Sequence, residues 1–116
     1  MLDERDEEFL RHMADAAKRI DVYIALASET EFMTKLMMQD AVIRNLEILG
    51  EAANRLSLAF VEAHPAVPWK DVAGMRHRLI HGYMSVNLHT VWLTATRDVP
   101  GISAEIDTIL RVEAQQ

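Results

Sequence analysis

The chain has 116 residues, no cysteine and a formal net charge of -6; it fits one domain around one core, offers no disulfide or thiolate metal site, and argues against broad electrostatic attraction to nucleic acid. Half of the residues are hydrophobic and only 6% aromatic, with 4 Gly and 3 Pro, a composition that favours a helical bundle over a β-sandwich. No apolar run approaches the ~20 residues that span a bilayer, and the acidic start MLDERDEEFL does not resemble a signal peptide, so a cytoplasmic protein with no membrane partner is expected.

Residues 3–27 read as the first helix. Asp3 is placed to cap it, and Glu4, Asp6, Glu7 and Glu8 suit the positive end of the helix dipole as a solvated helix start. Phe9, Met13, Ala16, Ile20, Ile24 and Ala27 recur every three or four residues as one apolar stripe. A second helix is expected over about 31–57, capped by Ser28 or Thr30, with Met38, Val42, Leu46, Leu49, Ala53 and Leu56 in line. Met33, Leu36, Ile43 and Ile48 lie off that line, so its apolar surface covers more than one face, which suggests a further helix or a second subunit as partner.

Gly50 inside this helix costs ~1 kcal/mol relative to Ala, which a close helix crossing would offset. Around it, Arg44, Glu47 and Glu51 share a face, either as a salt-bridge ladder or as groups that orient a nearby His or Arg. A short helix over about 58–63 ends at HPAVPW, where Pro65 and Pro68 hold an extended connection, His64 is a loop residue and Trp69 anchors the loop on the core.

A helix over about 69–81 follows, buried along Val72, Met75 and Leu79 and stopped by Gly82 in the position of a left-handed cap. Asn87 caps the next helix, which carries Leu88, Val91, Trp92 and Ala95, and Asp98 and Pro100 restart the chain as a last helix with Ile102, Ile106, Ile109 and Leu110. About five helices in an up-and-down bundle, all-α and forming one domain over residues 1–116, is the expected architecture.

The segment MRHRLIHGYM, residues 75–84, concentrates two Arg, two His and a Tyr between apolar residues. Cleavage of RNA by attack of its 2′-hydroxyl needs a base for that proton, an acid for the leaving 5′-oxygen and a cation for the charge developing on phosphorus. Imidazole titrates near neutrality and serves either proton role, and guanidinium matches a phosphate with two parallel donors. No metal or cofactor is called for. Arg76 and His81 are five positions apart, roughly 140° around a helix, so they do not share a face. A two-fold homodimer would set two copies of the segment into one groove and double the local positive charge. His77 and His81, four apart, can also be weighed as a metal-binding pair, but no HExxH pattern surrounds them and no third ligand follows. His64 and His89 have no partner legible in the sequence.

The stretches DAVIRNLEILGEAANRLS, HPAVPWKDVAGMRHRLIHGY and VWLTATRDVPGISAEI closely resemble the HepT-like toxins of the HEPN superfamily, from about residue 30 onward. Arg76 and His81 match the family's R-X4-H motif, and Tyr83 extends it to R-X4-H-X-Y. The resemblance implies an all-helical, dimeric, metal-independent ribonuclease, the toxin of a type VII-like toxin–antitoxin pair. Arg76 and His81 would be catalytic in a cleft at the dimer interface, with His77, Arg78 and Glu51 supporting. It also implies a partner, a minimal nucleotidyltransferase antitoxin of the MntA-like kind, that transfers AMP from ATP to Tyr83. Phosphate added beside Arg76 and His81 would occupy the groove and repel RNA. One departure is His77, which stands where many family members have Asn. The alternative implied by the same fold is a non-catalytic helical dimer that binds and regulates a nucleotidyltransferase, with a metal hydrolase as a third reading.

Overall fold

The computed structural model describes residues 2–79 and 86–115. Among these residues the architecture is helical with no β-strand, as the composition and periodicity lead one to expect. Helix α1, Glu4–Ile24, begins where Asp3 Oδ1 accepts the Arg5 amide at 2.7 Å. Leu10, Met13, Ala17 and Ile20 recur on one face and are fully buried. That face packs along α3, Leu36–Asn54, whose Val42, Leu46 and Leu49 are buried in return, and against α8, Val99–Ala114, through Ile102, Ile106 and Ile109. Burial of each such aliphatic side chain stabilises the fold by about 1.5–3 kcal/mol before entropic costs.

The acidic start of α1 is not solvated throughout. Asp6 is 5% exposed. Its two carboxylate oxygens accept the Ser57 amide at 2.8 Å and the Ser57 hydroxyl at 2.6 Å. Ser57 Oγ in turn accepts the Phe60 amide and so caps α4, Leu58–Ala63. This knot explains why α3 ends at Asn54 rather than running to 57: the chain must turn to bring Ser57 over the start of α1.

The single helix expected over 31–57 is two helices. Ser28 caps a one-turn α2, Glu29–Phe32, in a capping box with Glu31. The chain then leaves helical geometry at Lys35 before α3 begins. The break buries Phe32 completely and places its ring 5.2 Å from that of Trp92. The exposed carbonyls are covered locally, since Gln39 Nε2 donates to Phe32 O at 2.9 Å and Thr34 Oγ1 to Glu31 O at 3.0 Å. Leu36 and Met37 remain largely exposed.

The helix expected over 69–81 is likewise divided, into α5, Trp69–Ala73, and α6, Met75–Leu79, with the break at Gly74. Val72, Met75 and Leu79 form the buried line as expected, and Trp69 is buried with its indole N–H donating to His64 O at 2.7 Å. Gly82, expected as the cap, lies outside the described residues. The connection from α4 is held by His64 stacked on Phe60, 4.4 Å between centroids.

Gly50 marks the expected close crossing: a Cβ there would stand 3.1 Å from Val72 O, so α5 crosses α3 too closely for a methyl group without a small shift. The restart expected at Asp98 and Pro100 does not occur. Helix α7, Leu88–Leu93, capped by Asn87, runs through a π-helical turn, Thr94–Asp98, directly into α8. The Val99 amide bonds Thr94 O, five residues back. The wider turn gives Pro100, which has no N–H to donate, a place inside a continuous rod.

Candidate functional site

Helix α6 is one turn and a half long, and its geometry decides where the basic residues go. Met75 and Leu79 are four apart, share a face and are buried. Arg76, His77 and Arg78 between them are therefore forced outward, and all three are exposed. The apolar positions of the segment thus present its basic positions.

Arg76 stands on a ridge between two grooves. One, of about 380 Å³, runs between α1 and α3 and is bordered by His12, Arg44, Glu47, Ile48, Arg55 and Arg76. The other, of about 400 Å³, lies over the α3–α5 crossing, where Gly50 and Gly74 keep the floor low and Asn54, Lys70 and His77 join Arg76 at the edge. Four fixed cations, Arg44, Arg55, Lys70 and Arg76, thus face two carboxylates, Glu47 and Glu51, which border both grooves. In a chain of net charge -6 this is a local basic surface.

The carboxylates are spoken for. Glu47 Oε2 lies 3.8 Å from Arg76 Nε, and Glu51 Oε1 accepts from Arg55 Nε at 3.0 Å. Of the three residues Arg44, Glu47 and Glu51, Glu47 is the one that approaches an Arg of the motif. Arg44 makes no ion pair among the described residues, so the three do not form a ladder there. Glu51 borders the site but is paired along its own helix rather than with α6.

Arg78 points elsewhere. Two residues beyond Arg76 is about 200° of helix rotation, and Arg78 lines a different cleft, against the π-helical turn and α8. His81 and Tyr83 lie outside the described residues. Among the described residues no group of three or more His, Asp or Glu is arranged to hold a metal ion, and no helix is long and apolar enough to cross a membrane.

Two histidines have positions that sequence reasoning missed. His12, on α1, borders the Arg76 groove with its ring edge-on to Phe9. Its spacing from Phe9 is visible in the sequence, but not that the groove between α1 and α3 would end at Arg76. His89, which had no legible partner, bonds Glu29 through Nδ1 at 2.7 Å and ties α7 to α2, sixty residues away.

Comparison with known proteins bears on the same segment. Residues 13–109 match the family model described as "Ribonuclease HepT-like". The chain is 34% identical over 105 residues to a protein of Caldanaerobacter subterraneus subsp. tengcongensis named provisionally as an RNase, covering 90% of this chain and 94% of that one. It is 32% identical over 103 residues to the "Probable ribonuclease HepT" of Thermococcus cleftensis, covering 89% and 94%. It is also 37% identical over 102 residues to a Methanocaldococcus jannaschii protein named as a gamma-glutamylcyclotransferase and, provisionally, an RNase; there it covers 88% of this chain but 46% of that protein's length. No solved structure matches the chain.

Proposed function

We propose, from the premise that the chain belongs to the HepT-like ribonuclease family, that it is the toxin of a type VII-like toxin–antitoxin pair. It acts in the cytoplasm as a metal-independent endoribonuclease, residues 1–116 forming one HEPN-type domain. The single observation that carries this is Arg76, exposed on a basic ridge and tethered by Glu47. A guanidinium held at one nitrogen keeps its other donors for a phosphate. Arg76 takes the charge developing on the scissile phosphate. His81, five residues on, moves the proton to or from the reacting oxygens. His77 and Glu51 border the Arg76 grooves and support the site, whereas Arg78, expected to support it too, faces a separate cleft.

The cleft forms between two copies of the chain. The groove beside Arg76 has an apolar floor of Phe9, Ile48 and Ala52, a surface suited to a second subunit. Pairing about a two-fold axis supplies two His81 rings, one as base and one as acid. The partner antitoxin, a minimal nucleotidyltransferase of the MntA-like kind, silences the toxin. The Tyr83 hydroxyl attacks the α-phosphorus of ATP, an O–P bond forms, pyrophosphate leaves, and the hydroxyl proton goes to solvent. The added phosphodiester sits where RNA phosphate would sit.

The test is purified protein with single-stranded RNA in EDTA. Cleavage that survives EDTA and is lost in Arg76→Ala and His81→Ala is expected. Equal cleavage by the variants means that a contaminating nuclease is cutting and removes the support for these residues, and no cleavage by a protein that still binds a nucleotidyltransferase tightly overturns the nuclease reading in favour of a regulatory dimer. For Tyr83, intact mass after incubation with antitoxin and ATP should show AMP on the parent chain and none on Tyr83→Phe.

A further inference from the structure

The cleft that receives Arg78 is not explained by the chemistry at Arg76. It has a volume of about 550 Å³ and lies between the α5–α6 segment and the π-helical turn with the start of α8. We infer that it is a second contact point for the RNA strand, in which Arg78 and Arg97 grip a backbone phosphate away from the bond that is cut. This inference rests on the ribonuclease reading and extends it to how the substrate is held.

Two guanidiniums reach this cleft from two different elements, α6 and the π-helical turn. Neither makes an ion pair among the described residues, although Asp71, Asp98 and Glu105 line the same cleft. By contrast Arg11, Arg55 and Arg76 each stand against a carboxylate. Arg78 and Arg97 therefore keep their full donor forks, the arrangement that binds phosphate through two parallel bonds. Asp71, Asp98 and Glu105 line the same cleft and outnumber its two guanidiniums, so only a phosphate in direct contact with both arginines gains there, and a run of phosphates would be repelled. The buried side chains of Val67, Val72, Met75 and Ile102 reach its lining and give a base an apolar surface. The volume suits one nucleotide rather than a folded partner.

The backbone is shaped for the same place. The π-helical turn ends beside the cleft and carries Arg97 and Asp98 at its edge, and such turns recur at functional sites. One helical turn later Gly101 lines the cleft, with nothing within 4 Å of where a Cβ would be. Because Arg76 and Arg78 lie on opposite sides of α6, a strand held at both must wrap past that helix, so its length matters. A dinucleotide carries one phosphodiester and cannot occupy both places at once.

The test compares a ten-nucleotide single-stranded RNA with a dinucleotide substrate. Arg97→Ala should raise KM for the longer RNA about tenfold, the size of one charge-assisted hydrogen bond, with kcat little changed and the dinucleotide unaffected; Arg97→Lys should recover part of the loss. Gly101→Glu, which adds a carboxylate to the cleft at a site with room for it, should act in the same direction. Equal effects on both substrates, or none on either, overturn the inference. If the protein cuts neither RNA, anisotropy of a labelled 2′-O-methyl decanucleotide still decides: binding weakened about tenfold by Arg97→Ala upholds the subsite, unchanged binding refutes it. A cleft that binds free AMP with the same dependence on Arg97, while the oligonucleotide is indifferent to it, serves a free nucleotide, and the strand reading fails.

Discussion

Arg76 reaches back from α6 to α3 and sets its Nε 3.8 Å from Glu47 Oε2, although the Arg76 side chain is 67% exposed and that of Glu47 30%. So open a pair contributes no more than about 1 kcal/mol to folding. Its effect falls on where the guanidinium is held. Glu47→Gln should leave the urea unfolding midpoint almost unchanged while lowering kcat/KM for RNA cleavage about tenfold, as expected when a charge-stabilising group loses its anchor. An unfolding midpoint that falls sharply, with kcat/KM preserved, would show that Glu47 serves the fold alone.

Asp6 is the acidic residue that the charge pattern conceals. Both oxygens accept bonds from Ser57, fifty-one residues away, in a nearly buried place. Asp6→Ala leaves the Ser57 amide without its partner and should cost about 2–3 kcal/mol, read as a fall in stability in urea. Replacing its exposed neighbour Glu8 by Ala should cost a few tenths at most, since its one ion pair among the described residues is a 3.9 Å approach to His12.

These two carboxylates mark how far the sequence could be read. Apolar spacing gave α1 and the buried line through Val72, Met75 and Leu79, because period alone decides which face is buried. It could not separate Asp6 from Glu7 and Glu8, since the difference lies in a contact from residue 57. Nor could it place the break before Leu36, where the gain is the burial of Phe32 against Trp92 from another helix. Pro100 reads as a restart because a proline ordinarily ends a helix, and the π-helical turn that absorbs it has no signature in composition. Arg76 and Arg78 looked like one basic cluster, yet two steps of helix carry them to opposite sides. The motif was visible; which neighbour each member would face depended on the packing of α3 and α8.

Two glycines should respond oppositely to the same substitution. At Gly50 a methyl group would meet Val72 O at 3.1 Å, a backbone atom that cannot swing aside. The gain in helix propensity, up to about 1 kcal/mol, is then outweighed by displacement of α5, and Gly50→Ala should destabilise by about 1–2 kcal/mol net. Gly101 has nothing within 4 Å of the same position, so Gly101→Ala should stabilise by up to about 1 kcal/mol. Because α5 leads into α6, Gly50→Ala should also reduce cleavage by the folded protein. Thermal unfolding of the two variants beside the parent, with kcat/KM measured below both transitions, checks the pair.

The capping box at α2 gives a dependence on pH whose sign is fixed. The Ser28 amide, then the Ser28 hydroxyl, then the Lys35 charge favour the ionised carboxylate of Glu31, which is held below its ordinary value of 4.5. A carboxyl group lowered in the folded state binds fewer protons there than in the unfolded chain. Its contribution is complete above the ordinary carboxylate value and fades as pH falls through the folded one. Glu31→Ala should therefore be less stable than the parent near neutral pH. The gap between their urea midpoints should close as both are titrated to about pH 3, toward the acid end of the carboxylate range. Ser28→Ala should cost about 1 kcal/mol at neutral pH and less in acid, where the hydroxyl no longer meets an anion. A gap that widens on acidification would mean that Glu31 is not stabilised as its carboxylate, and the capping box would then not be what holds α2 in place.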